Sequence, residues 1–423
     1  MGVILLRNIT VADSQKDVLI DKGHIRKIGS AGQCVLWEMA GDVEIMDCSG
    51  KVAVPGFVNM HTHSAMALMR GVGEDMVFAD WLDKIWKIES HLDSDFVYWG
   101  TKVACLEMIR TGTTAFNDHY WFSTTGHKAA VEMGLRPMVS YVICDKMDPS
   151  EAERQKEQCT RMYEESLQWP GQSAFVVGCH AVYSVSGEML EWARDFAASH
   201  GLRIHIHLSE TQNEVRECKE KHGGLSPVEY LDRLGMLDSR LIAAHTLWLS
   251  ENDIKLLGDA GVTCVHNVNS NLKISSGYRF LYNELRDAGA NICIGTDGCA
   301  SSNNLDMLEA MKTSAIMQKA WRGSPVAMPL DELLACATTN GARALGINAG
   351  LLEEGALADL SIVDTDNSFF LSPAPFLANF IYSAHSDCID SVICNGRFVM
   401  RHREIEDEKE ILAEARKVLN QIY

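Results

Sequence analysis

Long apolar segments are missing from this chain of 423 residues. No apolar run reaches the ~18 residues that a transmembrane helix needs, so we expect no membrane span. The apolar start is interrupted by Arg7 and Asn8, which makes it too short for a signal peptide. We therefore expect a cytoplasmic protein that does not act on membranes.

Basic residues are also scarce. Lys and Arg together number 38 against 57 Asp and Glu, which gives a formal net charge of −19. Proteins that bind nucleic acid need a basic surface to neutralise phosphates. The composition therefore argues against nucleic acid as a partner, although it does not identify a substrate.

The 13 cysteines include no C-x-x-C pair. This absence excludes the usual zinc-ribbon and thioredoxin sites. Several cysteines lie inside apolar runs, namely Cys105, Cys179, Cys264 and Cys293. In a reducing cytoplasm such cysteines behave as small buried hydrophobic side chains.

Both ends of the chain have the pattern of short strands broken by turns. The hairpin signals are Asp21-Lys22-Gly23 and Asn395-Gly396. We predict an accessory β-sandwich domain built from residues 1–52 and 350–423, and a barrel domain over residues 53–349. The final stretch, EDEKEILAEARKVLNQIY, predicts an exposed amphipathic helix.

The middle of the chain alternates short apolar runs with amphipathic helical stretches. Eight such β–α units predict an α/β fold, a (β/α)8 barrel of the TIM type. The predicted strands are 55–61, 113–118, 137–143, 175–180, 203–208, 241–245, 263–267 and 291–297.

Several of the 15 histidines fall at the carboxyl ends of these predicted strands. In a barrel those ends share one face, and active sites are built there. His61 and His63 follow the first strand, and alternation along an extended chain turns both imidazoles to one side. The later strands add His180, His207, His245 and Asp297.

Imidazole nitrogen and carboxylate oxygen are ligands of catalytic zinc, which keeps one position for water. His61, His63, His207 and Asp297 supply such a set, so we predict a divalent metal ion, with zinc favoured over iron. His205 alternates with His207 on the same side of the strand, and either could be the ligand. The Ser-Glu pair at the end of this strand favours His207.

The proton carriers of a hydrolytic reaction can be assigned in the same cluster. Zinc lowers the pKa of a bound water, and Asp297 is a carboxylate able to take its proton. Glu210 could protonate a ring nitrogen of the substrate, which requires a neutral carboxyl group with a raised pKa. His245 could hold or polarise the activated water.

Six segments of the chain form a recognisable set of motifs: PGFVNMHTH, LMRGVGEDMVFADWL, HIHLSE, AAHT, HNVNSNLKISSG and GTDGCASSNN. They resemble the amidohydrolase superfamily, above all the branch of 5-methylthioadenosine/S-adenosylhomocysteine deaminases and triazine chlorohydrolases. The resemblance covers nearly the whole chain, and it implies the barrel, the terminal β-sandwich and a metal-dependent hydrolase. It also implies the same metal ligands, the proton-shuttling role of Glu210 and the catalytic role of His245.

The resemblance further implies contacts with a nucleoside. Glu89 stands where the adenosine-type members bind the ribose hydroxyls, and His180 stands where a histidine contacts the substrate. The fourth strand, FVVGCHAVYS, lacks the lysine of members with two metals, which implies a single ion. Tyr141 stands where members that bind S-adenosylhomocysteine have an arginine, which favours a neutral 5′-group. Arg154 could supply a charge from the following segment.

The sequence thus predicts a hydrolytic deaminase of adenine nucleosides. One rival is a deaminase or dechlorinase of another amino-heterocycle, such as guanine, a pterin or a triazine. A rival from a different class is a non-catalytic binding protein on the same barrel. Asp118 and His119 either shape the pocket or pack at a strand end. A symmetric homo-oligomer is the usual state of a soluble enzyme of this size.

Overall fold

The computed structural model describes residues 2–30 and 43–422, without the side chains of residues 421 and 422. Residues 31–42 of the predicted accessory domain and Tyr423 of the predicted terminal helix lie outside these described residues.

The strands of the described residues are β1 (Val3–Val11), β2 (Ser14–Asp21), β3 (His24–Ser30), β4 (Val43–Asp47), β5 (Lys51–Pro55), β6 (Phe57–Thr62), β7 (Thr113–His119), β8 (Arg136–Ile143), β9 (Ala174–Ala181), β10 (Ile204–Leu208), β11 (Leu241–His245), β12 (Thr263–His266), β13 (Asn291–Ile294), β14 (Leu360–Asp364), β15 (Ile389–Cys394) and β16 (Arg397–Met400).

Their α-helices are α1 (Phe78–Glu89), α2 (Ser94–Arg110), α3 (Ser123–Glu132), α4 (Pro149–Ser166), α5 (Gly187–His200), α6 (Gln212–Lys221), α7 (Pro227–Arg233), α8 (Glu251–Asp259), α9 (Val268–Lys273), α10 (Tyr282–Ala288), α11 (Cys299–Ser302), α12 (Met307–Arg322), α13 (Leu330–Ala337), α14 (Thr339–Leu345), α15 (Phe376–Tyr382) and α16 (Glu408–Ile422).

The predicted barrel is confirmed. Strands β6 to β13 form one sheet of eight parallel strands in sequence order, and each overlaps one of the predicted strands. Helices alternate with these strands along the chain. Beyond the last strand, the N–H of Asp297 donates to the carbonyl of His61 at 2.9 Å, which links β13 back to β6.

The barrel interior has an apolar layer below the site. Side chains from strands around the ring, including Met60, Val176 and Ile242, form one buried cluster that also contacts α14. Side chains from strands that are not neighbours in the sheet can contact one another only in the interior of the closed barrel. This packed layer gives the carboxyl ends of the strands, where the histidines lie, a rigid floor.

The two ends of the chain share a second sheet. Its order is β16-β15-β14-β5-β1-β2-β3, with β4 paired to β1. Both predicted hairpins are present, because Lys22 and Gly23 have φ of 52° and 81°, and Asn395 and Gly396 have φ of 56° and 69°. Positive φ at both central residues is typical of the tight two-residue turn that joins antiparallel strands.

Two contacts bind this second sheet and the chain terminus to the barrel. Arg136 at the start of β8 forms a buried ion pair with Asp359, beside β14. Helix α16 packs its apolar face, including Ala415 and Val418, against α2. The terminal helix is therefore less exposed than its sequence predicts, because α2 covers its apolar side.

One further expectation from composition is confirmed. The four cysteines predicted to be buried, Cys105, Cys179, Cys264 and Cys293, all lie in the interior. Among the described residues, no helix combines the length and the apolar character that crossing a membrane requires.

Candidate active site and metal centre

Four potential ligand groups converge at the carboxyl end of the barrel. His61 and His63 come from the end of β6, His207 from β10, and Asp297 from the segment after β13. The Oδ1 atom of Asp297 lies 3.4 Å from Nε2 of His61 and 3.3 Å from Nε2 of His63. Nε2 of His207 lies 3.3 Å from Nε2 of His63. These atoms are close enough to bind one ion together.

The Nε2 atom of His61 is the strongest indication that this cluster binds a metal ion. It is shielded from solvent and has no hydrogen-bond partner, since Oδ1 of Asp297 lies outside hydrogen-bond geometry. A buried nitrogen left without a partner costs free energy. Imidazoles beside a carboxylate are the donor set of Zn²⁺ and related transition metals. The residues present therefore fit a divalent metal.

His205 lies beneath this cluster and has a different surrounding from His207. Its Nε2 lies 2.9 Å from Nδ1 of His61, and its Nδ1 lies 3.0 Å from Nδ2 of Asn117. Both ring nitrogens of His205 are thus occupied within the barrel. Between the two histidines of β10, His207 is the one that turns a ring nitrogen toward His63.

Backbone carbonyls set the orientation of two imidazoles. Nδ1 of His63 donates to the carbonyl of His119, and Nδ1 of His207 donates to the carbonyl of His180 at 2.7 Å. A proton on Nδ1 leaves the lone pair of Nε2 free for a metal. The strand ends therefore present both rings in the form that a metal requires.

The structure explains the segment around Asp118 and His119. The Asp118 carboxylate accepts from the backbone N–H of Ser64 at 2.7 Å and from its hydroxyl at 2.8 Å, next to His63. His119 contacts His63 through its carbonyl, while its ring packs 4.8 Å from the ring of His207. Both residues support the histidine cluster from below.

Asp297 sits in a strained, close-packed turn. Its φ is 64°, and Oδ1 accepts from the N–H of Gly298 at 2.7 Å. At Gly295, a Cβ atom would lie 2.8 Å from the backbone nitrogen of His61, so only glycine allows this approach. Burial opposes ionisation of Asp297, but the proximity of His61 and His63 outweighs it and lowers the pKa well below the usual range.

Glu210 has the opposite protonation preference. Burial, with the nearby charges of Asp297 and Glu214, raises its pKa well above the usual value, despite a hydrogen bond from Ser276. Its Oε2 lies 3.7 Å from Nε2 of His245. The site thus holds one ionised carboxylate and one neutral carboxyl group, an arrangement typical of paired base and acid.

His245 is held at a second strained position, with φ of 75°. Its Nδ1 lies 2.9 Å from Nδ2 of Asn271 and 3.3 Å from Nδ2 of Asn267. Burial lowers the pKa of His245 to about 3, so the ring is neutral. Sequence reasoning assigned no role to these asparagines, although both lie in the HNVNSN segment that carries the resemblance.

Helix α1 forms the roof of the cavity above this cluster. The lining includes Trp81, Trp86 and Glu89 from α1, and His180 from the barrel. The ring of His180 lies 5.8 Å from that of Trp86, and its Nδ1 lies 2.6 Å from the hydroxyl of Ser184. Burial raises the pKa of Glu89, although hydrogen bonds from Trp121 and Tyr120 oppose this.

A larger cavity of about 880 Å³, here called the vestibule, adjoins the inner one and shares Trp86 and Glu89 with it. Tyr141 and Arg154 line the vestibule, whereas Glu210 and His180 line the inner cavity. The Tyr141 hydroxyl donates to Gln158 at 2.7 Å. Nε of Arg154 donates to Glu151 at 2.9 Å. Tyr141 and Arg154, both predicted to contact the substrate, therefore lie outside the inner cavity and are hydrogen-bonded to other side chains of the protein.

Comparison with known proteins agrees with this architecture. Residues 52–399 match the amidohydrolase family. A protein of Methanoregula boonei named 5′-deoxyadenosine deaminase is 42% identical over 97% of this chain and 93% of its own length. The 5-methylthioadenosine/S-adenosylhomocysteine deaminase 1 of Archaeoglobus fulgidus is 40% identical over 89% of this chain and 90% of its own length.

A crystal structure of an adenosine deaminase from Xanthomonas campestris with bound zinc superposes with a TM-score of 0.91. It is 30% identical and covers 99% of this chain and 98% of its own. The family and this zinc-bound structure support a divalent metal in the present protein as well. With its barrel, its histidine cluster and these relatives, the chain belongs to the amidohydrolase family and is a hydrolase of carbon–nitrogen bonds.

Proposed function

We propose that this protein is a metal-dependent deaminase that converts adenine nucleosides to their inosine analogues and releases ammonia. The observation that carries the proposal is the pair of carboxyl groups with opposite protonation, Asp297 and Glu210, on one histidine cluster. Hydrolysis of an amino-substituted ring needs both a proton acceptor for water and a proton donor for the ring. The names of the curated relatives supply the adenine nucleoside.

His61, His63, His207 and Asp297 would hold a single divalent ion, for which we favour zinc. The orphaned Nε2 of His61 and the lack of a lysine in β9 support one ion at this set. A divalent metal bound there would supply Lewis acidity and lower the pKa of a water molecule.

The chain's own groups then move the protons. The Asp297 carboxylate accepts a proton from the attacking water as the C6–O bond forms. The Glu210 carboxyl donates its proton to the ring nitrogen beside C6. Asp297 returns its proton to the leaving amino group, the C6–N bond breaks, and ammonia departs. The C6 hydroxyl loses its remaining proton as the C6 carbonyl forms, and this proton restores the neutral Glu210 carboxyl. Neutral His245, beside Glu210, orients the attacking water through Nε2.

For the substrate, we propose a nucleoside with a neutral 5′-group, such as 5′-deoxyadenosine, methylthioadenosine or adenosine. The vestibule offers room for a 5′-substituent next to Glu89. Its nearest candidate for binding a carboxylate, Arg154, is already paired with Glu151, and Tyr141 is paired with Gln158. An uncharged substituent leaves these pairs intact.

Ammonia release from metal-reconstituted protein tests the function and the preference together. We expect turnover of the three neutral nucleosides, and a kcat/KM for S-adenosylhomocysteine lower by about 10- to 100-fold, the effect of a missing charge-assisted hydrogen bond. Guanine serves as the control for another amino-heterocycle. Turnover of guanine alone would overturn the proposal, and a preference for S-adenosylhomocysteine would overturn the neutral 5′-group.

Replacement of Glu89 by glutamine is expected to weaken binding of the ribose. We expect KM for adenosine to rise by about 10- to 100-fold, because a hydrogen bond to a charged group contributes about 1.5–3 kcal/mol. The loss should be smaller for 2′-deoxyadenosine, which has one hydroxyl fewer. Asp83→Asn, on the exposed side of the same helix, is the matched control. Equal losses on both nucleosides would argue against ribose binding.

A further inference from the structure

Glu214 has an unusual position at the start of α6. Its Oε1 accepts from the N–H of Ser209 at 2.9 Å, and its Oε2 accepts from the N–H of Glu210 at 2.7 Å. Ser209 has φ of 51°, a conformation that costs free energy for a residue with a side chain. One buried carboxyl group therefore accepts from the N–H groups on both sides of the strained residue Ser209, next to the proposed proton donor.

This arrangement differs from ordinary helix capping in the same protein. In α7 and α8, Glu229 and Asp253 accept from the backbone N–H of the capping serine of their own helix, at 2.8 Å and 2.7 Å. In α6, Thr211 caps the helix through its hydroxyl, and Glu214 contacts the N–H of this capping residue as well. Glu214 differs because it also accepts from the N–H groups of the two preceding residues. The helix end alone does not require these two bonds.

The burial of the Glu214 carboxyl group costs folding free energy. Its side chain is 4% exposed, and no ion pair found among the described residues includes it. Burial raises the pKa of Glu214 to about 7, although its backbone hydrogen bonds oppose this. A carboxyl group kept in the interior without a cation has to be stabilised by the contacts that it makes.

The peptide that Glu214 holds also joins two parts of the site. The carbonyl of Ser209 accepts from the N–H groups of Leu247 and Trp248, at 3.1 Å and 3.0 Å. These residues lie two and three positions after His245, and Nε2 of His245 lies 3.7 Å from Oε2 of Glu210. The position of the Ser209 peptide therefore affects both Glu210 and His245.

We propose that Glu214 is a positioning residue for this reaction: it fixes the Ser209–Glu210 backbone so that the Glu210 carboxyl stays over the histidine cluster. The inference rests on the proposed function of Glu210 as proton donor. When ionised, Glu214 also raises the pKa of Glu210.

Glu214→Gln tests this role, with Glu217→Gln as the matched control on the exposed part of the same helix. The amide can accept only one of the two bonds and turns an N–H against the other donor. We expect kcat for the preferred nucleoside to fall by about 10- to 100-fold, as for a catalytic group displaced by up to ~1 Å. KM and metal content should stay unchanged, and the control should match the parent protein.

Glu214→Asp distinguishes position from charge, because it retains the charge but is too short for both bonds. We expect it to lose kcat as well; full activity of this variant, or of Glu214→Gln, would overturn the proposal. A loss of metal in proportion to activity would also overturn it, since that outcome indicates a general structural role.

Amide hydrogen exchange supplies a readout without turnover. In Glu214→Gln, the Ser209 and Glu210 amides should exchange about 10-fold faster or more, while amides of the barrel strands keep their protection. If the parent protein releases no ammonia, the proposed function fails, yet exchange still tests whether Glu214 holds this backbone. Unchanged exchange at both amides would overturn the positioning role.

Discussion

Glu210→Gln is expected to lower kcat by about 10²–10⁴-fold, the usual contribution of a general acid–base group. The amide keeps the shape of the side chain but has no proton of suitable acidity to give to the purine. Because burial and nearby carboxylates hold Glu210 neutral, the substitution exchanges one uncharged group for another. We therefore expect the fold and the metal content to be preserved, and ammonia release from adenosine is the measurement.

Glu217→Gln is the matched control, since it makes the same chemical change on α6 without contact with the inner cavity. Metal content and thermal unfolding should be measured for both variants, so that a loss of turnover is not confused with a loss of ion or fold. A Glu210→Gln variant within about tenfold of the parent would contradict the role, because general acid catalysis contributes more than that.

The positions of the predicted metal ligands follow from the pattern of apolar and polar residues along the chain, because a barrel brings the carboxyl ends of its strands together. Each predicted strand is a short apolar run, six of the eight end in a polar residue, and the structure has all eight strands in sequence order. Once the barrel is predicted, His61, His207 and Asp297 must share one face. Their convergence thus needs no knowledge of contacts far apart in the chain.

The same local pattern cannot distinguish residues with equal periodicity. His205 and His207 alternate on one side of β10, and their different roles depend on His61, which lies 144 residues earlier than His205 and occupies its Nε2. Glu214 has the sequence position of a common capping residue, so its reach to Ser209 and Glu210 appears only in three dimensions.

Substrate contacts are harder still to predict. The sequence placed Tyr141 and Arg154 at the substrate, but each has a partner on α4 and lines the vestibule. The segment between β8 and α4 determines where these two side chains lie. Its length and direction cannot be predicted from the spacing of apolar residues. Glu89 and His180 line the inner cavity, and their contacts with a nucleoside stay a prediction.

Removal of the metal by a chelator is expected to abolish ammonia release, and return of Zn²⁺ should restore it. Burial lowers the pKa of His61 and His207, which favours the neutral imidazole that a metal requires, and the pKa of the Asp297 carboxyl lies well below its usual range. Without an ion, the buried Nε2 of His61 has no partner, which predicts lower stability as well as lost activity.

Thermal unfolding therefore provides a second readout that does not depend on the substrate. An ion that binds the folded state at 100 times its dissociation constant stabilises it by about 2.7 kcal/mol, so Tm should rise when Zn²⁺ is returned. Mg²⁺ is the control, because it prefers oxygen ligands and should restore neither Tm nor turnover. Fe²⁺, returned under reducing conditions, distinguishes the two metals that suit this donor set. Full turnover in protein shown to contain no metal would contradict the assignment, and the histidine cluster would then need a purely structural explanation.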